Sequence, residues 1–401
     1  MKKIFAGILA VSIAVAASAQ EPDQEVPDNG FTFRDKKTIR TTDVKDQNKS
    51  GTCWSFAGIS FFEEEIMRAG GDALNLSEMF VVRHCYADKA DKYVRMYGNT
   101  TFSPGGSILD IPYVIEHYGI VPEEVYHGLN YGEAKHAHYE MDGILSDLVK
   151  NVVKKPMGGK ISTAWKKALN GVLDAYLGEL PETFTYKGTT YTPLSFAKSL
   201  GLDMDNYVGI TSFTHHPFYK PFVLEVADNW LWGEYMNLPL EDMQAVIDNA
   251  LENSYSVAWA ADISEGGFKW IKGVALMPKG KDEGDMTGTE LSRWVILDDK
   301  DRQDDKYNFD GPVDEIEVTQ ELRQQMFDAQ ETTDDHGMVI VGYAFDQEGN
   351  KYYKVKNSWD TNQIYGGYLY ASEAFVLAKT INIYVNKAAV PVEIAMRAGI
   401  M

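Results

Sequence analysis

The sequence predicts an α+β fold in two halves, and three observations carry that reading. Apolar residues recur at helical spacing through most of the chain up to about residue 250. From residue 255 onward the pattern changes to short β-branched or aromatic runs separated by turn residues. The two patterns are segregated and do not alternate, which is the order of an α+β protein and not of repeated βαβ units.

The 401 residues suffice for a large core, in one elaborate domain or two to three ordinary ones. A content of 44% hydrophobic and 24% charged residues fits a soluble globular chain. The formal net charge of −21 weighs against nucleic acid and anionic membranes, which are bound through basic patches.

The chain opens as an export signal. Lys2 and Lys3 precede an apolar run from Ile4 to about Ala17, and Ala17-Ser18-Ala19 supplies small residues at cleavage spacing. The mature protein is expected to begin at Gln20, in the periplasm or outside the cell. A membrane anchor is the competing reading, but the apolar run is shorter than the roughly 20 residues a span needs. Residues 20–40 read as an extended polar arm.

Residues 41–126 read as a helical lobe. After a polar loop over 41–50, Trp54, Ala57, Ile59, Phe61, Phe62 and Ile66 mark a helix over 53–69, with Glu63, Glu64 and Glu65 as its solvated rim and Gly70-Gly71 as its stop. Ser77 caps a second helix reaching about Lys89, and a third spans 108–118. Residues 127–249 form a mainly helical insertion, with periodic stretches at 141–153, 162–177 and 240–251 and an alternating hairpin at 183–191. Residues 250–386 form a β-rich lobe of antiparallel strands near 255–261, 337–345, 351–357, 367–370 and 380–385. The acidic stretch 279–317 reads as a solvated loop. Residues 387–401 remain as a C-terminal tail.

The chemistry concentrates in three segments. In Gln47-Asn48-Lys49-Ser50-Gly51-Thr52-Cys53-Trp54, a cysteine opens a helix, where the positive end of the helix dipole favours a thiolate. Gly51 permits a tight loop, and the Gln47 amide can join the Cys53 N–H in stabilising an oxyanion. Asp335-His336-Gly337 opens a strand, and Lys356-Asn357-Ser358-Trp359 closes the next one. Folding about a turn at 346–350 brings Asn357 back to His336, where its carbonyl can orient the ring while Trp359 shields the bond. The arrangement is nucleophile, base and orienter. A single Cys53–Cys85 disulfide is the blander use of two cysteines in an exported chain.

These segments resemble the papain superfamily, and more closely its bleomycin hydrolase and aminopeptidase C branch. The resemblance is supported by Leu76-Ser77-Glu78, by Pro104-Gly105-Gly106, by residues 318–336 and by the size of the insertion. It covers residues 41–126 and 250–386 well. It implies a papain-like two-lobed fold with Cys53 as nucleophile, His336 as acid–base, Asn357 as orienter and Gln47 as oxyanion donor. Gly105, Gly106 and Trp359 would meet the substrate, and the carboxylate of Met401, carried into the cleft by the tail, would meet its free amine. The implied activity is peptide hydrolysis through a thioester, as an aminopeptidase acting on small peptides, with no metal or organic cofactor and with assembly as a homo-oligomer, a hexamer. An endopeptidase with an open cleft and an inactive exported binding protein remain as alternatives. Ser50 stands where secreted papain-like enzymes usually carry a disulfide-bonded cysteine, which also fits this branch. The chain departs from the pattern at Asp360, where glycine is usual, and in carrying an export signal where many members of the branch are cytoplasmic. With no partner for it, Cys85 is expected to be a buried free thiol.

Overall fold

The computed structural model describes residues 29–155, 158–280, 286 and 292–400. The expected export signal and its cleavage site lie outside these residues. No described helix is long and apolar enough to cross a membrane.

In chain order, β1 (Arg34–Thr38) precedes α1 (Cys53–Arg68), α2 (Glu78–Arg95) and α3 (Asp110–His117). The insertion supplies α4 (Tyr139–Val153), α5 (Ala164–Leu177), the hairpin β2 (Phe184–Tyr186) and β3 (Thr189–Tyr191), and α6 (Pro193–Ser199). It continues with β4 (Tyr207–Thr211), β5 (Lys220–Val223), β6 (Glu234–Asn237) and α7 (Leu240–Glu252). Then follow β7 (Val257–Ala261), β8 (Phe268–Lys269), β9 (Val274–Ala275), α8 (Asp299–Lys306) and α9 (Gln320–Asp328). The chain closes with β10 (His336–Phe345), β11 (Lys351–Lys356), β12 (Tyr368–Ser372), α10 (Glu373–Lys379), β13 (Thr380–Asn386) and α11 (Val392–Ala398).

One large sheet organises the molecule, in the order β5-β6-β4-β13-β7-β10-β11-β12-β9-β8, with β1 added along β10. Successive residues of a strand face opposite sides, and two cores result. Ala258, Val339 and Val341 pack on the side of α1 and α2. Val257, Trp259, Met338 and Ile340 pack on the side of α7. The β10–β11 turn lies where expected: Asp346 Oδ1 accepts from the N–H of Glu348 (2.9 Å) and of Asn350 (2.8 Å).

Four expectations need correction. Glu63, Glu64 and Glu65 are not a solvated rim but are buried at 0%, 3% and 1% exposure. Each has a partner: Glu63 pairs with Lys45, Glu64 with Lys356, and Glu65 with Arg68 and Asn386. The insertion is not mainly helical throughout: residues 207–237 are β, while the helix expected at 240–251 is present as α7. Strands β4 to β6 extend the main sheet through β13 (Ile210 opposite Ile383), and strands of four or five residues among turn residues leave no periodicity to read. The sheet is mixed, because β4–β6 and β9–β12 run parallel. The acidic stretch, partly outside the described residues, is not only loop: α8 is capped by Asp298, whose Oδ1 accepts from the Asp301 N–H at 2.8 Å, and Phe309 is buried against Phe31.

Candidate active site

The cleft forms where the start of α1 meets the start of β10. Gly51, at φ +68°, turns the chain into α1 so that the helix begins at Cys53. Thr52 caps it without a side-chain hydrogen bond; its carbonyl receives the Ser55 N–H at 2.9 Å, and the N–H groups of Cys53 and Trp54 are left to the sulfur and to whatever approaches it. Strand β10 reaches the helix because Gly337 has no side chain: a Cβ there would lie 3.2 Å from Trp54 Cα. The backbone N–H groups of Gly337 and Trp54 act on the Cys53 thiol and favour its anion, and Cys53 and His336 line the same cavity.

The hydrogen bonds settle the tautomer of His336. Asn357 Oδ1 accepts from the Ser358 N–H at 2.8 Å, which fixes which end of the amide is oxygen. His336 Nε2 lies 2.7 Å from that oxygen and must donate to it. In the neutral ring Nδ1 is then the bare nitrogen, free to take the thiol proton. Trp359 lies 4.7 Å from the imidazole, centroid to centroid, tilted by 38°, and covers the bond. Its own position is set by edge contacts with Phe268 and Trp270.

Gln47 is held on the same strand end. Its backbone N–H donates to Ser358 O at 2.8 Å, and its Oε1 accepts from Ser358 Oγ at 2.7 Å. The carbonyl end is therefore occupied, and the NH₂ is the end left for a ligand. Across the cleft, Trp54 Nε1 donates to Pro104 O at 2.9 Å. A Cβ on Gly106 would meet Asp110 Oδ2 at 2.6 Å and the Trp54 ring at 2.8 Å, and one on Gly105 would collide with the Asp228 carboxylate. Both glycines are thus required by the wall itself.

Burial pushes the Cys53 thiol up to about 12, with the Asp334 and Asp228 charges adding to the push and the two N–H groups opposing it. Burial likewise holds His336 down at about 4, against the Asn357 hydrogen bond. Both shifts favour the neutral thiol and the neutral imidazole. Moving the proton from Sγ to Nδ1 leaves the net charge of the pair unchanged, and the helix N-terminus, the N–H groups and Asn357 all favour the product of that transfer.

Sequence reasoning missed three residues that line the cavity beside Cys53: Asp228, Asp334 and Asn382. Asp334 is two residues before His336 and was legible as a neighbour of the site. Asp228 lies in the insertion and carries no sequence signal, and Asn382 is reached only through the pairing of β13 with β7.

A separate polar cluster joins His215 and His216 to Glu225, at 3.1 and 2.7 Å. Gln324 Oε1 accepts from the Thr214 N–H, so Gln324 Nε2 faces His215 Nδ1 at 3.1 Å. His215 must then keep its proton on Nε2 and donate it to Glu225, which sets this ring to hydrogen-bond and not to ligate a metal.

The model of the Peptidase C1-like family matches residues 6–274 and 301–398. The chain belongs to the Peptidase C1-like family. Among curated relatives, Aminopeptidase C of Lactobacillus delbrueckii subsp. lactis is 23% identical over 89% of this chain and 82% of its own. Aminopeptidase C of Streptococcus thermophilus is 23% identical over 92% and 85%. The crystal structure of pepw from Lactobacillus rhamnosis HN001 superposes with a TM-score of 0.68 at 20% identity, over 91% of this chain and 84% of the other, which establishes the papain-like fold. The protein is a cysteine peptidase of this family.

Against that family, four local features stand out. The loop before Cys53 has no disulfide. It is held instead by Lys49 N–H and Asn48 Nδ2 donating to His136 O, at 3.0 and 2.9 Å. Cys85 is a buried free thiol, as expected, and no Cys53–Cys85 disulfide forms. Asp360 adopts φ +65°, the conformation glycine would supply, and receives Lys135 Nζ at 3.2 Å. The tail expectation needs correction. Residues 387–400 pack on the α7 side of the sheet, opposite α1: Asn249 Nδ2 donates to Ala389 O at 2.8 Å, and Arg397 reaches Tyr219 Oη at 2.8 Å and Asp242 Oδ1 at 3.1 Å. Val390, Ile394, Ala398 and Ile400 are buried there, and burying that apolar stripe outweighs laying it in a polar cleft. Met401 itself lies outside the described residues.

Proposed function

We propose that the protein is an exported cysteine aminopeptidase that trims small peptides from their N-terminus. The observation that carries the chemistry is the His336–Asn357 pair, with Nδ1 left bare beside a cysteine at a helix N-terminus. The exopeptidase reading is supported by relatives named Aminopeptidase C that match over most of both chains.

In this reading Cys53 Sγ passes its proton to His336 Nδ1 and attacks the scissile carbonyl carbon. The Gln47 NH₂ and the Cys53 N–H receive the oxyanion. The C–N bond breaks as His336 returns its proton to the leaving amine, and a thioester remains. Water, deprotonated by His336, attacks the thioester, the released amino acid takes the new C–O bond, and Sγ regains a proton.

The test is digestion of a peptide ladder with mass-spectrometric product mapping. Successive loss of single N-terminal residues supports the reading, and internal fragments from the first turnover overturn it. Export is tested by N-terminal sequencing of the protein recovered outside the cytoplasm, expected to begin at Gln20. The implied homo-oligomer, a hexamer, is tested by mass measurement in solution.

A further inference from the structure

An aminopeptidase must recognise a free α-ammonium, yet the tail that resemblance would place in the cleft packs on the far face of the sheet. The cleft carries acceptors of its own. Asp228 Oδ2 lies against Gly105, and its Oδ1 receives Ser103 Oγ at 3.4 Å. Asp334 lines the same cavity, and its carboxylate has no hydrogen bond among the described residues. Asn382 also lines it, only 2% exposed, and its Oδ1 has no hydrogen-bond partner.

One cation, Lys89, opposes burial at Asp228 but not at Asp334. Lys89 lies behind the glycine wall, where its Nζ is engaged by the carbonyl oxygens of Gly105 and Ser103. What lines the cavity is therefore three carboxylates, of which Asp335 is held by Thr333 Oγ1 at 2.8 Å, together with the Asn382 amide. Such groups are costly to leave unpaired, and an ammonium, with three N–H donors and no acceptor, is their complement. The cavity is small, ≈ 60 Å³, room for a few waters or for an ammonium and its neighbouring carbon. Asp228, seated on Gly105, also occupies ground along the wall that an extended chain would need on its way past the nucleophile.

We propose that Asp228, Asp334 and the side-chain oxygen of Asn382 form the anchor for the free α-ammonium of the substrate, in place of a terminal carboxylate. This rests on the aminopeptidase reading and names the group that sets its specificity. Burial and the adjacent Asp228 charge hold the Asp334 carboxyl up at about 7, a strain that a bound cation relieves.

The experiment compares leucyl-aminomethylcoumarin with its N-acetyl form, using full-length wild type, Asp334→Asn, Asp228→Asn and the double variant. Protection of the buried Cys85 from iodoacetamide serves as the check on folding, and labelling of Cys53 as the check on the nucleophile. The expected result is a fall in the free-to-acetylated ratio of kcat/KM by about ten- to hundred-fold in the double variant, the worth of a charge-assisted hydrogen bond. Cys53 should label as fast as in wild type or faster, since a negative neighbour has been removed. An unchanged ratio with Cys53 still reactive overturns the anchor and leaves the aminopeptidase reading standing. A drop in the ratio on removal of residues 399–401 alone returns the role to the tail and overturns the anchor too. Loss in the variants of a preference for Lys-Leu- over Ala-Leu-aminomethylcoumarin, with the free-amine preference intact, assigns the acids to a side chain and overturns the anchor. Wild type that prefers acetylated peptides contradicts the aminopeptidase reading itself.

Discussion

Ser358 Oγ donates to Gln47 Oε1 at 2.7 Å, across 311 residues of chain. The bond ties the oxyanion donor to the strand end that carries Asn357, so two parts of the site drawn from opposite lobes are set by one hydroxyl. Removing the hydroxyl in Ser358→Ala frees the Gln47 amide to rotate without removing it. The expected cost is about ten-fold in kcat with little change in KM. Gln47→Ala should cost about a hundred-fold or more, in the range for loss of one oxyanion donor. In the double variant the Ser358 change should add nothing. Additive effects, read from steady-state kinetics, would mean that Ser358 acts by another route.

Asn357→Ala removes the acceptor of the His336 Nε2 proton and frees the ring to turn or switch tautomer. It should lower kcat by about ten- to a thousand-fold while KM moves little. His336→Ala should be more severe, because the proton acceptor itself is gone. Comparable small losses from both would contradict the derived tautomer.

Two buried acids, Glu63 of α1 and Glu78 of α2, make a stability prediction. Burial pulls Lys45 down, but Glu78 and Glu63 outweigh it and hold it above the ordinary lysine range. With Glu63 and Glu78 almost wholly buried, Lys45→Met leaves uncompensated carboxylates and should destabilise by about 3–5 kcal/mol. Lys135→Met, whose exposed Nζ bridges Asp46 and Asp360 at the surface, should cost only a small fraction of that. Urea denaturation of both variants decides the matter.

Asp334 makes a pH prediction of defined sign. Its folded-state pKa, about 7, lies above the ordinary 3.8, so the folded state binds the proton more tightly than the unfolded one. The stability this contributes is complete below pH 3.8 and is lost as pH rises through about 7. Asp334→Asn should therefore have the higher Tm at pH 8, with the gap closing toward pH 4. A variant equal to or less stable than wild type at pH 8 would place this carboxylate in a solvated setting and remove its cost.

The parts of this protein that were legible in the sequence share a property: their function depends on local order. Cys53 opens a helix whose apolar spacing is plain, and the two strands ending at His336 and Asn357 are joined by a short turn, so their meeting follows from adjacency. Ser77 was readable as a cap because its Oγ accepts from the Phe80 N–H three residues on. What was not legible depends on distant pairing. Glu63, Glu64 and Glu65 look like a solvated run until Lys45, Lys356 and Asn386 arrive from elsewhere in the chain. The apolar stripe through Ile394, Ala398 and Ile400 could have been read as a helix face, but its destination on α7 could not. Asp228 reaches the cleft only because the insertion returns to the main sheet through β4 to β6.

The central claim is that Cys53 carries out stepwise N-terminal hydrolysis. The most direct measurement follows a defined peptide by mass spectrometry with wild type, Cys53→Ala and Cys85→Ala. The expected result is release of single residues from the N-terminus by wild type and Cys85→Ala, and no hydrolysis by a folded Cys53→Ala. Retained cleavage in Cys53→Ala, or internal fragments as the first products of wild type, would contradict it.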